Sequence, residues 1–271
     1  MNFVICHLSF VICHLLFVIC NLQKEVPVKT KSCVPWTVLL VLFSITVSFG
    51  FEKDTIATAE GDIILTFIGH STLMMEHKGL VIHVDPWSRL ADYTLLPKAD
   101  IILITHHHGD HLDTEAIGTI EKNGTEIILT ELCRKQTGKG TVMKNGDTLH
   151  VAGITIEAVP AYNIQHLREN GQPYHPKGEG NGYVLTLGKS RIYMAGDTEN
   201  VPEMKALQKI DVAFLPMNLP YTMSPEMVAD AAKAFRPAIL YPYHFGNTDT
   251  NRIVVLLKDE QDITLRIRNM K

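Results

Sequence analysis

Residues 100–111 read Asp-Ile-Ile-Leu-Ile-Thr-His-His-His-Gly-Asp-His, and this stretch decides the fold. Asp100–Ile104 carries an unbroken apolar run of strand length, suited to burial on both faces of a sheet. Side chains that carry chemistry follow at once. In an extended loop alternate residues point the same way, so His106 and His108 can converge on one ion. Beyond the Gly109 bend, Asp110 and His111 can turn toward a second. Imidazole and carboxylate donors without thiolate suit zinc, with Fe or Mn as alternatives. A histidine-rich surface loop holding adventitious metal needs neither this spacing nor a buried strand ahead of it.

Working outward, the elements alternate in a recognisable order. Asp62–Ile68, Thr72–Glu76 and Leu80–Val84 are β-rich runs separated by Gly-His-Ser and Lys-Gly turns, the pattern of a meander. Asp113 or Thr114 caps a helix through Lys122, and Ile127–Leu129 is the next strand. Asn145-Gly146 carries a hairpin signal between flanking strands. Strands are expected around Ile154–Val159, Gly182–Leu187 and Arg191–Ala195, then at Val212–Leu215, Ile239–Tyr241 and Ile263–Ile267. Ser224-Pro225-Glu226 supplies an N-cap, a first-turn proline and a dipole-favoured acid for a helix through Phe235, and Thr250–Lys258 is another. Two sheets covered by helices on their outer faces account for this order: an α/β fold, a four-layer αββα sandwich. No linker divides residues 61–271, which read as one domain.

The chain is 271 residues long, 46% apolar and 20% charged, with a formal net charge of −4. A sizeable core fits this composition, and the lack of basic excess argues against a nucleic-acid partner bound by bulk electrostatics. Of the five cysteines only Cys133 lies in the body, which excludes a disulfide framework there and makes thiolate ligation improbable. Cys133 reads as a small, partly buried residue at a helix start. Residues 1–24 hold a low-complexity heptad repeat, FVICHLS-FVICHLL-FVICNL, without the charged flanks of a coiled coil. It reads as translated repetitive DNA ahead of a true start. Residues 25–50 combine a basic start (Lys29, Lys31), an apolar centre and small residues near Gly50, which describes a signal peptide. The expected product is exported, periplasmic or secreted, with residues 51–60 as a linker and no stable membrane span after cleavage.

The ordered motifs resemble the metallo-β-lactamase superfamily, whose hallmark is HxHxDH after a strand. Ile82-His83-Val84-Asp85-Pro86 resembles its first motif, Ala195-Gly196-Asp197-Thr198 the motif of the bridging aspartate, and Tyr243-His244-Phe245-Gly246 the last histidine motif. The resemblance implies a metal-dependent, dinuclear zinc hydrolase with His106, His108, Asp110, His111, Asp197 and His244 as ligands and Asp85 supporting them. The Gly69-His70-Ser71 turn and Leu215-Pro216-Met217 look like the branch holding L-ascorbate-6-phosphate lactonase and N-acyl-phosphatidylethanolamine phospholipase D. There His70 lines the pocket or fills its turn.

One position departs from the family. Where a metal-binding histidine is usual, this chain has Tyr162-Asn163, so His175 or His166 substitutes, Asn163 offers an oxygen, or one metal is held by fewer ligands. His175 lies in a glycine-rich stretch expected as a loop over the site. Two cations sharing Asp197 would bring the pKa of a water between them to about 7, with Asp110 orienting the resulting hydroxide. The substrate class implied is a small-molecule ester, lactone or phosphodiester. Trp87, Arg89, Tyr93, Lys177, Tyr221 and Met223 are pocket candidates whose mixed aromatic and basic character suits an anion. The rival reading is a non-catalytic zinc-binding or sensing protein, favoured by the Tyr162-Asn163 departure. A di-iron redox enzyme is a third.

Overall fold

Ile101–Leu103 forms a strand buried on both faces, as its apolar run predicts. Ile101 and Leu103 enter the core between two sheets, whereas Ile102 and Ile104 join a second apolar layer with Ala116, Ile117 and Ile120 of a covering helix. The structure, a computed structural model, describes residues 50–270. The repeat over 1–24 and the signal peptide, apart from Gly50, lie outside the described residues.

The first sheet begins with an antiparallel meander of β1 (Glu52–Ile56), β2 (Ile63–Gly69), β3 (Thr72–His77) and β4 (Leu80–Val84). Parallel strands β5 (Ile101–Leu103), β6 (Glu126–Leu129) and β7 (Thr141–Val142) extend it. The second sheet repeats this plan. β8 (Thr148–Val151), β9 (Ile154–Ala161), β10 (Gly180–Leu187) and β11 (Ser190–Met194) run antiparallel. β12 (Val212–Pro216), β13 (Ile239–Tyr243) and β14 (Thr264–Leu265) then add in parallel. Tyr183, Leu185, Phe214 and Tyr241 meet Leu65, Phe67 and Met75 in the shared core. The αββα sandwich is the observed fold.

Helices form where capping residues start them. Asp113 accepts hydrogen bonds from Glu115 N and Ala116 N at the head of α1 (Thr114–Ile120). Thr130 caps α2 (Glu131–Thr137), in which Cys133 is fully buried rather than partly, and burial pushes its thiol pKa up. α3 (Pro202–Lys205) precedes α4 (Pro225–Phe235), which starts at the expected Ser224 cap and first-turn Pro225. α5 (Asn251–Leu257) completes the set. No helix among the described residues is long and apolar enough to cross a membrane.

Three local expectations change. Residues 52–56, read as linker, form edge strand β1, pinned where Asp54 accepts from Tyr241, Arg266 and Arg268. Its alternation is too polar to announce a strand. Asn145-Gly146 closes no hairpin: β7 ends the first sheet and β8 begins the second. The dipeptide marks only a tight turn, with Gly146 at φ 90°, and Asn145 donates across to Gly180 O and Asn181 Oδ1. Finally, Gly180–Gly182 belong to β10 instead of a loop. A Cβ on Gly182 would lie 2.7 Å from Ala195 O and 2.9 Å from Met194 O, so the close strand contact there needs glycine.

Candidate metal centre

The carboxyl ends of four strands, two from each sheet, supply the site, the usual place for ligands in such sheets. Asp85 follows β4, the histidine motif follows β5, Asp197 follows β11 and His244 follows β13. The β2–β3 turn contributes His70. Backbone strain concentrates here: His70, Asp85 and His244 all have positive φ (53°, 44° and 48°). Gly196 has φ 66°, and a Cβ there would meet Asn181 O at 2.9 Å, which explains the glycine before Asp197.

Two groups of donors result. His106, His108 and His175 offer nitrogens within 4.8 Å of one another; Asp110, His111 and His244, with His70, form a second group. Asp197 lies between: Oδ2 is 3.3 Å from His175 Nε2 and 3.5 Å from His244 Nε2, while Oδ1 is 3.5 Å from His111 Nε2. All six main expected ligands converge, and His175 joins them. His166 does not; its Nδ1 donates to Glu199 Oε1 at 2.8 Å. Asn163 serves differently from the expected oxygen donor, because its Oδ1 accepts from both N and Nδ1 of His175 at 2.8 Å.

The rings of His106, His111 and His175 are held by their far nitrogens. Asp85 is fully buried and accepts from His111 Nδ1 at 2.8 Å, Thr105 N at 2.8 Å and Thr105 Oγ1 at 2.7 Å. That is the supporting position expected of it. Thr105 Oγ1, its proton committed to Asp85, accepts from His106 Nδ1 at 3.1 Å. Partners of this kind direct the opposite nitrogen inward and set the tautomer. His70 sits in its turn at φ 53° and also lines the cavity above the cluster, so the two alternatives for it are not exclusive, and its Nε2 lies 3.0 Å from Asp110 Oδ2.

Charge balance suits a cation. Burial, with the charge of neighbouring His111, pushes the His106 pKa well below its usual value; burial and His175 bring His108 to about 4. Both are neutral donors at pH 7. Burial opposes ionisation of Asp197 and Asp110, yet surrounding imidazoles outweigh it and hold both carboxyls well below their usual range. Burial also opposes charge on His111, but Asp197 and Asp85 raise it to about 9. A cation would replace that proton. His111 Nε2, His175 Nε2, His244 Nε2 and Asp197 Oδ1 are buried without hydrogen-bond partners, as a metal cradle requires.

Of the pocket candidates, Tyr221 and His70 line the cavity of about 510 Å³ above this cluster. Trp87 and Arg89 line an adjoining cleft with Asp110. Tyr93 and Met223 are buried, and Lys177 is paired with Glu203. Sequence reading passed over Glu199 and Arg168. Glu199 is buried and accepts from the backbone of Ile164, Gln165 and His166, fixing the segment that presents Asn163. Nothing in the sequence marks it except its place two residues after Asp197.

Fold and site together define a metal-dependent hydrolase. Residues 64–244 match the beta-lactamase superfamily domain. The UPF0173 metal-dependent hydrolase of Geobacillus sp. (strain WCH70) is 32% identical over 215 residues, covering 72% of this chain and 93% of that protein. The corresponding protein of Nanoarchaeum equitans is 32% identical, covering 67% and 83%. Among solved structures, one from Parabacteroides distasonis, described as a metal-dependent hydrolase, is 51% identical with a TM-score of 0.78, covering 82% of this chain and all of that one. The metallo hydrolase Igni18 of Ignicoccus hospitalis is 25% identical with a TM-score of 0.64, covering 77% and 96%. The chain belongs to the metallo-β-lactamase superfamily.

Proposed function

We propose that the protein hydrolyses an ester, lactone or phosphodiester of a small molecule using two divalent cations, zinc by the chemistry of the donors. The inward, unpartnered set of His111 Nε2, His175 Nε2, His244 Nε2 and Asp197 Oδ1 carries this reading. Leaving such groups buried and unpaired costs about 1–3 kcal/mol each, a cost that coordination removes. His106, His108 and His175 would hold one cation, Asp110, His111 and His244 the other, with Asp197 shared. When bound, such cations supply a water acidic enough to ionise near neutral pH and a Lewis-acidic face for charge developing on the substrate.

The chain's own residues orient the reaction. His70 Nε2 donates to Asp110 Oδ2 and aims that carboxylate at the cavity. Asp110 accepts the water's proton and delivers it to the leaving group. Asn163 and Asp85 keep His175 and His111 facing inward. The non-catalytic alternative drew on a missing third-motif histidine; His175, on Asn163, makes up the donor count and favours catalysis.

Metal analysis with a screen of esters, lactones and phosphodiesters tests the proposal. The expected result is two equivalents of zinc and turnover of at least one class, with one equivalent lost in the His106→Ala/His108→Ala double variant. Metal-replete protein that turns over none of the three classes is a zinc-binding or sensing protein instead. Export is a separate proposal, resting on residues 25–50. Cleavage after Gly50 would leave every described strand intact, since β1 starts at Glu52. An export-dependent reporter fused to residues 25–60 should give signal, and a full-length intracellular product would defeat this part alone.

A further inference from the structure

We propose that Arg168 forms an anion-binding subsite at the mouth of the metal centre, so that the substrate carries a carboxylate or phosphate beside its scissile group. Arg168 lines both cavities that open onto the cluster. One, of about 310 Å³, is shared with His106, His108 and Asp197; the other, of about 510 Å³, with Asp110, Tyr221 and His244.

Its presentation is built by the fold. Leu167 and Pro173 form a β-bridge, Arg168 N donates to Gln172 O at 2.7 Å, and Gly171 N donates to Arg168 O at 2.8 Å. The intervening Asn170-Gly171 turn, with Gly171 at φ 77°, closes a tight hairpin. At its end the guanidinium lies 4.8 Å above the Tyr174 ring and donates through one nitrogen to Tyr174 O at 3.2 Å. Tyr174 packs edge-on against Tyr221 at 5.1 Å, and Tyr221 O is held by Asn163 Nδ2. The same scaffold that orients His175 therefore carries the exposed Arg168 guanidinium at the rim of the cavity.

Arg191, Arg236, Arg252, Arg266 and Arg268 are each neutralised by a carboxylate. Arg168 has no such partner, and of the three arginines without one among the described residues (Arg89, Arg134 and Arg168) it alone lines these two cavities; Glu179 lines the first without pairing with it. Its remaining donors form a planar fork, the geometry that matches carboxylate and phosphate oxygens. Stacking on Tyr174 limits the side-chain freedom that binding would otherwise freeze.

In naming a substrate this inference rests on the hydrolytic reading above, and the experiment separates the two. Zinc-loaded wild type and Arg168→Met are compared on three 4-nitrophenyl esters of matched length: pentanoate, hemisuccinate and 3-phosphonopropanoate. Wild type should favour an anionic ester over the neutral one by about tenfold or more in kcat/KM, mostly through KM, as a charge-assisted pair implies. In Arg168→Met that ratio should fall toward one while zinc content stays at the wild-type value. The ester with the larger ratio names the anion. A wild-type ratio near one, or a ratio that survives Arg168→Met, overturns the subsite and leaves the hydrolase standing. Transfer of the loss to Arg89→Met, in the neighbouring cleft, overturns it equally. If none of the esters turns over, titration of succinate and phenylphosphonate into both proteins decides: about tenfold weaker binding to Arg168→Met supports the subsite, equal binding overturns it.

Discussion

The side-chain oxygen of Asn163 lies 2.8 Å from both the backbone nitrogen and Nδ1 of His175, twelve residues further on. This one contact brings His175, from a different part of the chain, beside His106 and His108, where it would take the place of the usual third-motif histidine. Asn163 is itself held through Nδ2 by Tyr221 O and Glu199 Oε1. Asn163→Ala should release His175 and weaken one cation by about 10–100-fold, the usual effect of losing a partner behind a ligand. Asn163→Asp keeps the acceptor for His175 but loses the donor to Tyr221 O and Glu199 Oε1, and should fall between Asn163→Ala and wild type. Competition with a graded chelator reads both; full two-site affinity in Asn163→Ala would show that His175 needs no such support.

His83 gives a stability prediction away from catalysis. It is fully buried in β4, Nε2 donates to Pro97 O at 3.0 Å, and Nδ1 has no partner. Burial lowers its pKa from the usual 6.5 to about 4. Between those values the unfolded chain binds a proton that the folded one refuses, so stability present above pH 6.5 drains away as pH falls through the window. At pH 4 the loss attributable to this residue is about 3 kcal/mol. Denaturant titrations of wild type and His83→Leu at constant zinc should show that pH-dependent difference disappear in the variant. Parallel curves for the two proteins between pH 7 and 4 would contradict it.

Much of this was legible because it is local. HxHxDH needs only an extended loop after a buried strand, and Asp85, Asp197 and His244 each follow an apolar run that announces its own strand end. Cap signals located α4 to the residue and narrowed the head of α1 to Asp113 or Thr114, though that helix ends at Ile120 instead of Lys122. Illegible features depend on distant partners. Polar β1 is a strand because Asp54 meets Arg266 and Arg268 more than two hundred residues away. Asn145-Gly146 specifies a turn, not which sheet each flank joins. The burial of Glu199 and the unpaired state of Arg168 are likewise products of the folded chain.

The glycine at 182 is a packing requirement. A Cβ would sit within 2.9 Å of two backbone oxygens of the adjoining strand, and backbone cannot move aside as a flexible side chain would. Gly182→Ala should cost about 1–3 kcal/mol, the range for overpacking. Thermal unfolding at fixed zinc checks this, and an unchanged midpoint would mean that β10 and β11 separate freely.

Asp110 is where mechanism can fail independently of fold. Its Oδ2 lies 3.0 Å from His70 Nε2, 3.6 Å from His244 Nε2 and 3.8 Å from His111 Nε2. It borders the cavity as Asp197 does, but is half-buried where Asp197 is enclosed. A carboxylate so placed can ligate, move a proton, or do both. If it only ligates, Asp110→Asn should lose zinc and activity together, and excess zinc should restore both. If it also carries the proton, the zinc-replete variant should stay slow by about 10²–10⁴-fold in kcat, the range for general acid–base catalysis. The proton-transfer role predicts one further contrast. A substrate with a good leaving group, such as a 4-nitrophenyl ester, needs no protonation on departure and should suffer less than one with an alkoxide leaving group. Equal losses on the two substrates at full zinc occupancy would reduce Asp110 to a ligand and route the proton elsewhere.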